Sequence, residues 1–273
     1  MRDEAEVDAY IREISVILGT YPTETTSYAK YRAIGEGFKQ NVNWLKDTSP
    51  PSISFFNGLT AMLDLAVVMS VSKMIELIEA KGADYRPGEL VASEKPGKRR
   101  AHDEIRSLPR LAFLIRDAFS QNDGSYARRY GQRQSEIVAH YDLPTRDMGD
   151  YITKIEKDRL FLIELCDRVD ALARSEECKK LLIIRNEGFA HSSAISRKSI
   201  SLGLEPDEMD FTRTKLFGFG DHVMQLALDF EVVWSQRSRP AIKDLISQSV
   251  QTGASFWEET RKGLAADMPT NRE

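Results

Sequence analysis

Apolar side chains recur three and four residues apart along most of this chain. From Glu4 to Leu18, the residues Val7, Tyr10, Ile11, Ile14 and Leu18 fall on one stripe, the signature of an amphipathic helix. Pro22-Thr23 is expected to break it, and Tyr28 to Trp44 reads as a second helix weakened by Gly35 and Gly37. Stop and start signals fill Asp47 to Ser52. The longest element, Ile53 to Ala80, is apolar nearly all round at first and amphipathic later. A helix apolar on most faces predicts the centre of a bundle.

Lys81-Gly82 ends that helix, and Arg86 to Arg100 is a polar loop punctuated by Pro87, Gly88, Pro96 and Gly97. Helical spacing returns from Asp103 to Phe119, with Pro109 marking a first turn or a kink. Asn122 to Ser125 is a turn, and Arg128 to Arg146 supports no assignment. Asp150 to Ala173 is a strong amphipathic helix. Ser175-Glu176-Glu177 then supplies a cap and two acids for the positive end of a helix running from Cys178 to His191. Ser192 to Asp210 connects to another helix, Phe211 to Trp234, and beyond Pro240 a weaker helical tail covers Ala241 to Leu264. Strand alternation, internal repeats and low-complexity tracts are all missing. The expectation is an all-α fold. Residues 1–240 would form a single helical-bundle domain with an N-terminal helical extension, and 241–273 a C-terminal tail that joins the bundle or clasps a second subunit.

Composition narrows the classes. The 273 residues carry 41% hydrophobic and 29% charged side chains, which argues against a disordered, collagen-like or disulfide-stapled chain. Thirty-eight Lys and Arg against 42 Asp and Glu leave a formal net charge of -4. Any grip on nucleic acid must therefore come from a local patch. Cys166 and Cys178 are too few for a disulfide framework, and their apolar surroundings predict two buried thiols. Met1-Arg2-Asp3-Glu4 opens an acidic amphipathic stretch, not an export signal. Leu59 to Val71 is shorter than the ~20 residues of a membrane span and carries Asp64. A soluble, cytoplasmic protein with no membrane partner is the expectation.

Phosphate-loop, HExxH, CxxC, EF-hand and GxSxG signatures do not occur, and His102, His140, His191 and His222 are far apart in sequence. No metal or cofactor is expected. One segment concentrates chemistry: Arg185-Asn186-Glu187-Gly188-Phe189-Ala190-His191, closed by Ser192-Ser193. A guanidinium can fork a phosphate, an imidazole with an ordinary pKa near 6.5 suits proton transfer, and a carboxamide can orient either partner or a ribose hydroxyl. Those parts suffice to cut RNA through its own 2′-hydroxyl. The plainer alternative is a helix end decorated with positive charge, favourable by about 0.3–1 kcal/mol.

The run from Leu182 to Ser192 resembles the Arg-x4–6-His motif of HEPN-domain proteins, with a polar residue directly after the Arg. The wider order of helices, Tyr28 to Trp234, resembles the U-type abortive-infection proteins. The resemblance implies a HEPN-like helical bundle with extra N- and C-terminal helices. It also implies a metal-independent ribonuclease, usually dimeric, acting in phage defence or as a toxin. Arg185 and His191 take the catalytic places and Asn186 the polar place. Glu187 departs from the pattern by putting an acid where related motifs often carry a base.

Geometry bears on the oligomer. Six steps of ~100° turn a straight helix by roughly 600°, placing Arg185 and His191 about 120° apart and ~9 Å along the axis. One straight helix does not aim both at one phosphate. A bend at Gly188, or a helix ending before His191, would allow it. Two copies meeting across a two-fold axis would also do so, and this composite homodimeric site is the favoured expectation.

RNA needs a landing surface. Leu90 to Arg133 holds ten bases (Lys95, Lys98, Arg99, Arg100, Arg106, Arg110, Arg116, Arg128, Arg129, Arg133) against five acids, with Tyr126 and Tyr130 available for stacking. Lys98-Arg99-Arg100 is the expected RNA contact. Asp64 is expected to orient an Arg, with Arg185 as one partner, or to lie in a polar seam. Trp234 and Trp257 are read as core or interface. The competing reading is a non-catalytic helical dimer that binds a nucleotide, RNA or protein, and an antitoxin or regulatory protein is a further expected partner.

Overall fold

A computed structural model describes residues 4–41, 50–76, 106–120, 124–132, 148–185 and 212–266. Among them the structure is all-α, with no strand. The helices are α1 (Glu4–Leu18), α2 (Tyr21–Asn41), α3 (Pro50–Met74), α4 (Leu108–Phe119), α5 (Met148–Ala173), α6 (Glu176–Ile183), α7 (Arg213–Ser235) and α8 (Ile242–Ala266). Residues 125–132 are also helical. Pro22 does not break a helix. The turn falls earlier, at Gly19-Thr20, and Pro22 sits in the first turn of α2, where its missing N–H costs no hydrogen bond. No helix of the described residues is long and apolar enough to cross a membrane.

The chain divides into two compact units that do not follow chain order. One comprises Met1–Pro22, Lys73–Lys179 and Leu226–Arg239; the other comprises Thr23–Ser72, Lys180–Gln225 and Pro240–Glu273.

In the first unit α4 packs along α5 and against α1. Ser107 caps α4 by accepting the Arg110 N–H, and Pro109 stands in the first turn. The buried face of α4 presents Leu108, Leu111, Leu114, Ile115 and Phe119, and α5 answers with Leu162, Leu165, Val169 and Leu172. Cys166 and Cys178 are buried free thiols, as their setting predicts. Arg159 closes the other end of α4, donating to the carbonyls of Phe119 at 3.0 Å and Ser120 at 3.3 Å. Phe119 meets Tyr126 edge-on and also touches Trp234, whose indole N–H donates to Ser15 at 3.1 Å. Trp234 is core.

The second unit is built on close approaches between helices. Gly35 lies under the ring of Phe217, and Gly37 under the indole of Trp257. At Gly253 even a methyl group would collide with the main chain at Ala33. Trp257 is fully buried and donates to the Ile34 carbonyl at 2.6 Å. The C-terminal segment is therefore seated on α2 of the same chain, through α8.

Candidate functional site

The motif enters from a well-made helix start. Ser175 Oγ accepts the Cys178 N–H at 3.1 Å, and its hydroxyl donates to the Leu172 carbonyl at 2.7 Å. Glu176 and Glu177 occupy the first turn, where a carboxylate favours the positive end of the helix. Cys178, Leu181 and Ile183 form the buried side of α6. At 184–185 the winding widens from α to π type, and Ile184 and Arg185 are half-buried there. Such widening is common at functional positions. Asn186, Glu187 and His191 lie outside the described residues, as do Lys98, Arg99 and Arg100.

Asp64 does not partner Arg185. Its carboxylate receives Arg213, from Nη2 at 2.6 Å and Nε at 3.2 Å. Both groups keep a quarter to a third of their side-chain exposure, so the pair is a surface-edge bridge worth under about 1 kcal/mol. Nothing in the sequence separates Arg213 from the other arginines as that partner.

The expected landing surface is corrected over its described part. Arg110 is buried and bound to Glu13. Arg116 is held by Asp170 and by Asp167 at 2.6 Å, and Arg128 faces Asp8 at 3.4 Å. Arg129 is buried over the Trp234 ring at 4.7 Å. Tyr126 and Tyr130 are each only 4% exposed, so neither offers a face to a base. The physical reason is simple. A local excess of bases along the chain ignores acids supplied by α1 and α5, and these neutralise the arginines of 110–128. Arg106 alone in that described stretch is exposed without a carboxylate in contact.

A second polar centre, in the second unit, has no signal in the sequence. Tyr28 donates to Asp221 Oδ1 at 2.7 Å and to the Phe217 carbonyl at 3.0 Å. Arg32 stacks on the Phe217 ring at 4.2 Å, pairs with Glu36, and holds its Nε 3.5 Å from the same Asp221 oxygen. Burial holds the Asp221 carboxyl above the ordinary range, outweighing the hydrogen bond from Tyr28 and the charge of Arg32. Burial, reinforced by Asp221, also drives the Tyr28 phenol far up, so it remains a donor at all ordinary pH. Two carboxylates around one guanidinium leave no surplus positive charge for a phosphate. The set fastens α7 to α2.

No family model, curated protein or solved structure matches the chain. Among the described residues no group of three or more His, Cys, Asp or Glu is placed to hold a metal ion. The remaining focus is the end of α6, where a half-buried guanidinium precedes Asn186 and His191 in sequence.

Proposed function

We propose that this chain is a metal-independent endoribonuclease of the HEPN type, acting in the cytoplasm in phage defence, in abortive infection or as a toxin. One observation carries the reading: Arg185, Asn186 and His191 stand within seven residues of sequence directly after the apolar run Leu181 to Ile184. The half-buried setting of Arg185 at the widened end of α6 supports it. In the proposed step His191 takes the proton of a ribose 2′-hydroxyl, whose oxygen attacks the adjacent phosphorus. The 5′-oxygen leaves and is protonated by an imidazolium. Arg185 stabilises charge on the phosphoryl oxygens, and Asn186 fixes the substrate or the ring. The homodimer would assemble the site from two copies across a two-fold axis. Lys98, Arg99 and Arg100 would contact the RNA backbone.

The test is digestion of RNA in the presence of a chelator by native protein and by His191→Ala. Proton transfer by a positioned imidazole is worth roughly 10²–10⁴-fold, and the variant is expected to lose that much rate. Abolition by the chelator, or full activity of His191→Ala, contradicts the scheme.

Two observations favour the alternative of a non-catalytic helical dimer that binds a nucleotide, RNA or protein. Glu187 sits inside the motif, and the arginines of 110–128 are neutralised within the protein. Retained binding of labelled RNA without any cleavage would select it. Under either reading, a neighbouring antitoxin or regulatory protein is a further proposed partner.

A further inference from the structure

The solvent side of α7 carries hydrogen-bond donors and little else at its start. From 212 to 222 the exposed residues are Thr212, Thr214, Lys215, Gly218 and His222, with no acid and no apolar side chain among them. The acid of that stretch, Asp221, is engaged by Tyr28 and Arg32 on α2, and Arg213 is paired with Asp64. The side chains of Lys215 and His222 have no hydrogen-bond or ion-pair partner among the described residues. Seven residues apart, they stand nearly in line, ~10 Å along the helix axis. Asp229, a further seven residues on, closes the line, half-buried and facing Arg168 at 3.8 Å.

Gly218 lies between Lys215 and His222. A methyl group there would meet nothing within 4 Å, whereas Gly220 on the same helix makes room for the ring of Tyr28. Glycine inside an exposed helix weakens it relative to alanine, and at Gly218 no contact among the described residues compensates. It leaves a gap where the main chain of a ligand can come close to the helix. Charge and reach select the ligand. An amine, an imidazole and hydroxyls are donors to phosphate, and ~10 Å spans about three nucleotides of a stacked strand at ~3.4 Å each. A protein partner needs an apolar centre to its interface, and this face has none. The same compact unit holds Arg185.

We infer that this face of α7 binds the sugar–phosphate backbone of a single RNA strand, with Lys215 and His222 on phosphates and Gly218 admitting the ribose between them. The inference rests on the RNA reading proposed above and adds a contact surface to Lys98, Arg99 and Arg100. Anisotropy of a labelled single-stranded 2′-O-methyl RNA, which lacks the hydroxyl used in the proposed cleavage, measures binding apart from cutting. Native protein is expected to bind it at low salt. Lys215→Gln and His222→Ala should each weaken binding severalfold. Lys215→Gln should also lower the log–log salt slope by about 0.7, the share of one phosphate on a single strand. Gly218→Ala should weaken binding while raising the thermal unfolding midpoint, a split that a merely structural glycine does not give. Lys30→Gln, exposed on the side of α2 away from Tyr28 and Arg32, is the comparison and should change neither affinity nor slope. Binding unaltered by the α7 substitutions, or weakened equally by Lys30→Gln, overturns the inference and leaves the RNA reading standing. Native protein that does not bind the strand overturns it even where RNA is cut. Binding that responds as expected without any cleavage upholds the inference and sinks the nuclease reading alone.

Discussion

Replacing Gly253 by Ala tests how α8 is seated on α2, and the structure sets both sign and size. A methyl carbon there would stand 2.6 Å from the Ala33 carbonyl oxygen, 2.8 Å from its carbon and 3.1 Å from the Ile34 nitrogen. All three are main-chain atoms, so no rotamer change relieves the overlap and α8 must move outward. That movement strains the nearby hydrogen bond from Trp257 to the Ile34 carbonyl, 2.6 Å long, and opens the fit between Gly37 and the indole. Against this, Ala favours a helix over Gly by about 0.5–1 kcal/mol. Overpacking costs typically about 1–3 kcal/mol, and a strained buried hydrogen bond adds to it. The overlap wins, and Gly253→Ala should destabilise the protein by about 1–3 kcal/mol. Gly263 lies on the same helix with nothing near its missing methyl group. There the identical change should stabilise by up to about 1 kcal/mol. Urea unfolding followed by circular dichroism reads both, and the two midpoints should move in opposite directions. Equal stabilisation by both substitutions would refute the close approach of α8 to α2.

Three other outcomes follow from the described contacts. Ser175→Ala removes the cap of α6 and should cost about 1 kcal/mol, seen as faster amide exchange at Cys178 and Lys179; unchanged exchange would deny the cap. Asp221 has a folded-state pKa raised by burial, so its contribution is full below the ordinary carboxyl range and is lost as pH rises through the raised value. Measured against Asp221→Asn, native protein should therefore lose stability as pH rises through that window, and the opposite slope would contradict a raised pKa. Burial pushes the Cys178 thiol up to about 12 and that of Cys166 further. A disulfide exchange reagent should thus react with neither until urea is added, and rapid reaction in the native state would contradict their burial.

Helix spacing made most of the fold legible. Of the stripe Val7, Tyr10, Ile11, Ile14 and Leu18, Tyr10 and Ile11 are half-buried and the other three buried, Pro109 begins α4 instead of kinking it, and Ser175 caps α6. Gly35 and Gly37 were weak points in the reading of α2 because propensity counts only the helix's own backbone. Their role is to admit Phe217 and Trp257, and those partners lie far away in sequence. Charge was the least legible property. Arg110, Arg116 and Arg128 find their acids at Glu13, Asp167, Asp170 and Asp8, which only folding brings near. At the motif, spacing named Arg185, Asn186 and His191, and the structure adds the half-buried place of Arg185 at the end of α6.

The central claim is that this guanidinium and imidazole act through the ribose hydroxyl. An RNA oligonucleotide cut by the native protein, resynthesised with a single 2′-deoxyribose immediately before the cut, tests it most directly. The account predicts that cleavage stops at that position alone, and that the original products end in a 2′,3′-cyclic phosphate and a 5′-hydroxyl. Continued cleavage at the deoxy position, or products ending in a 5′-phosphate, would contradict it.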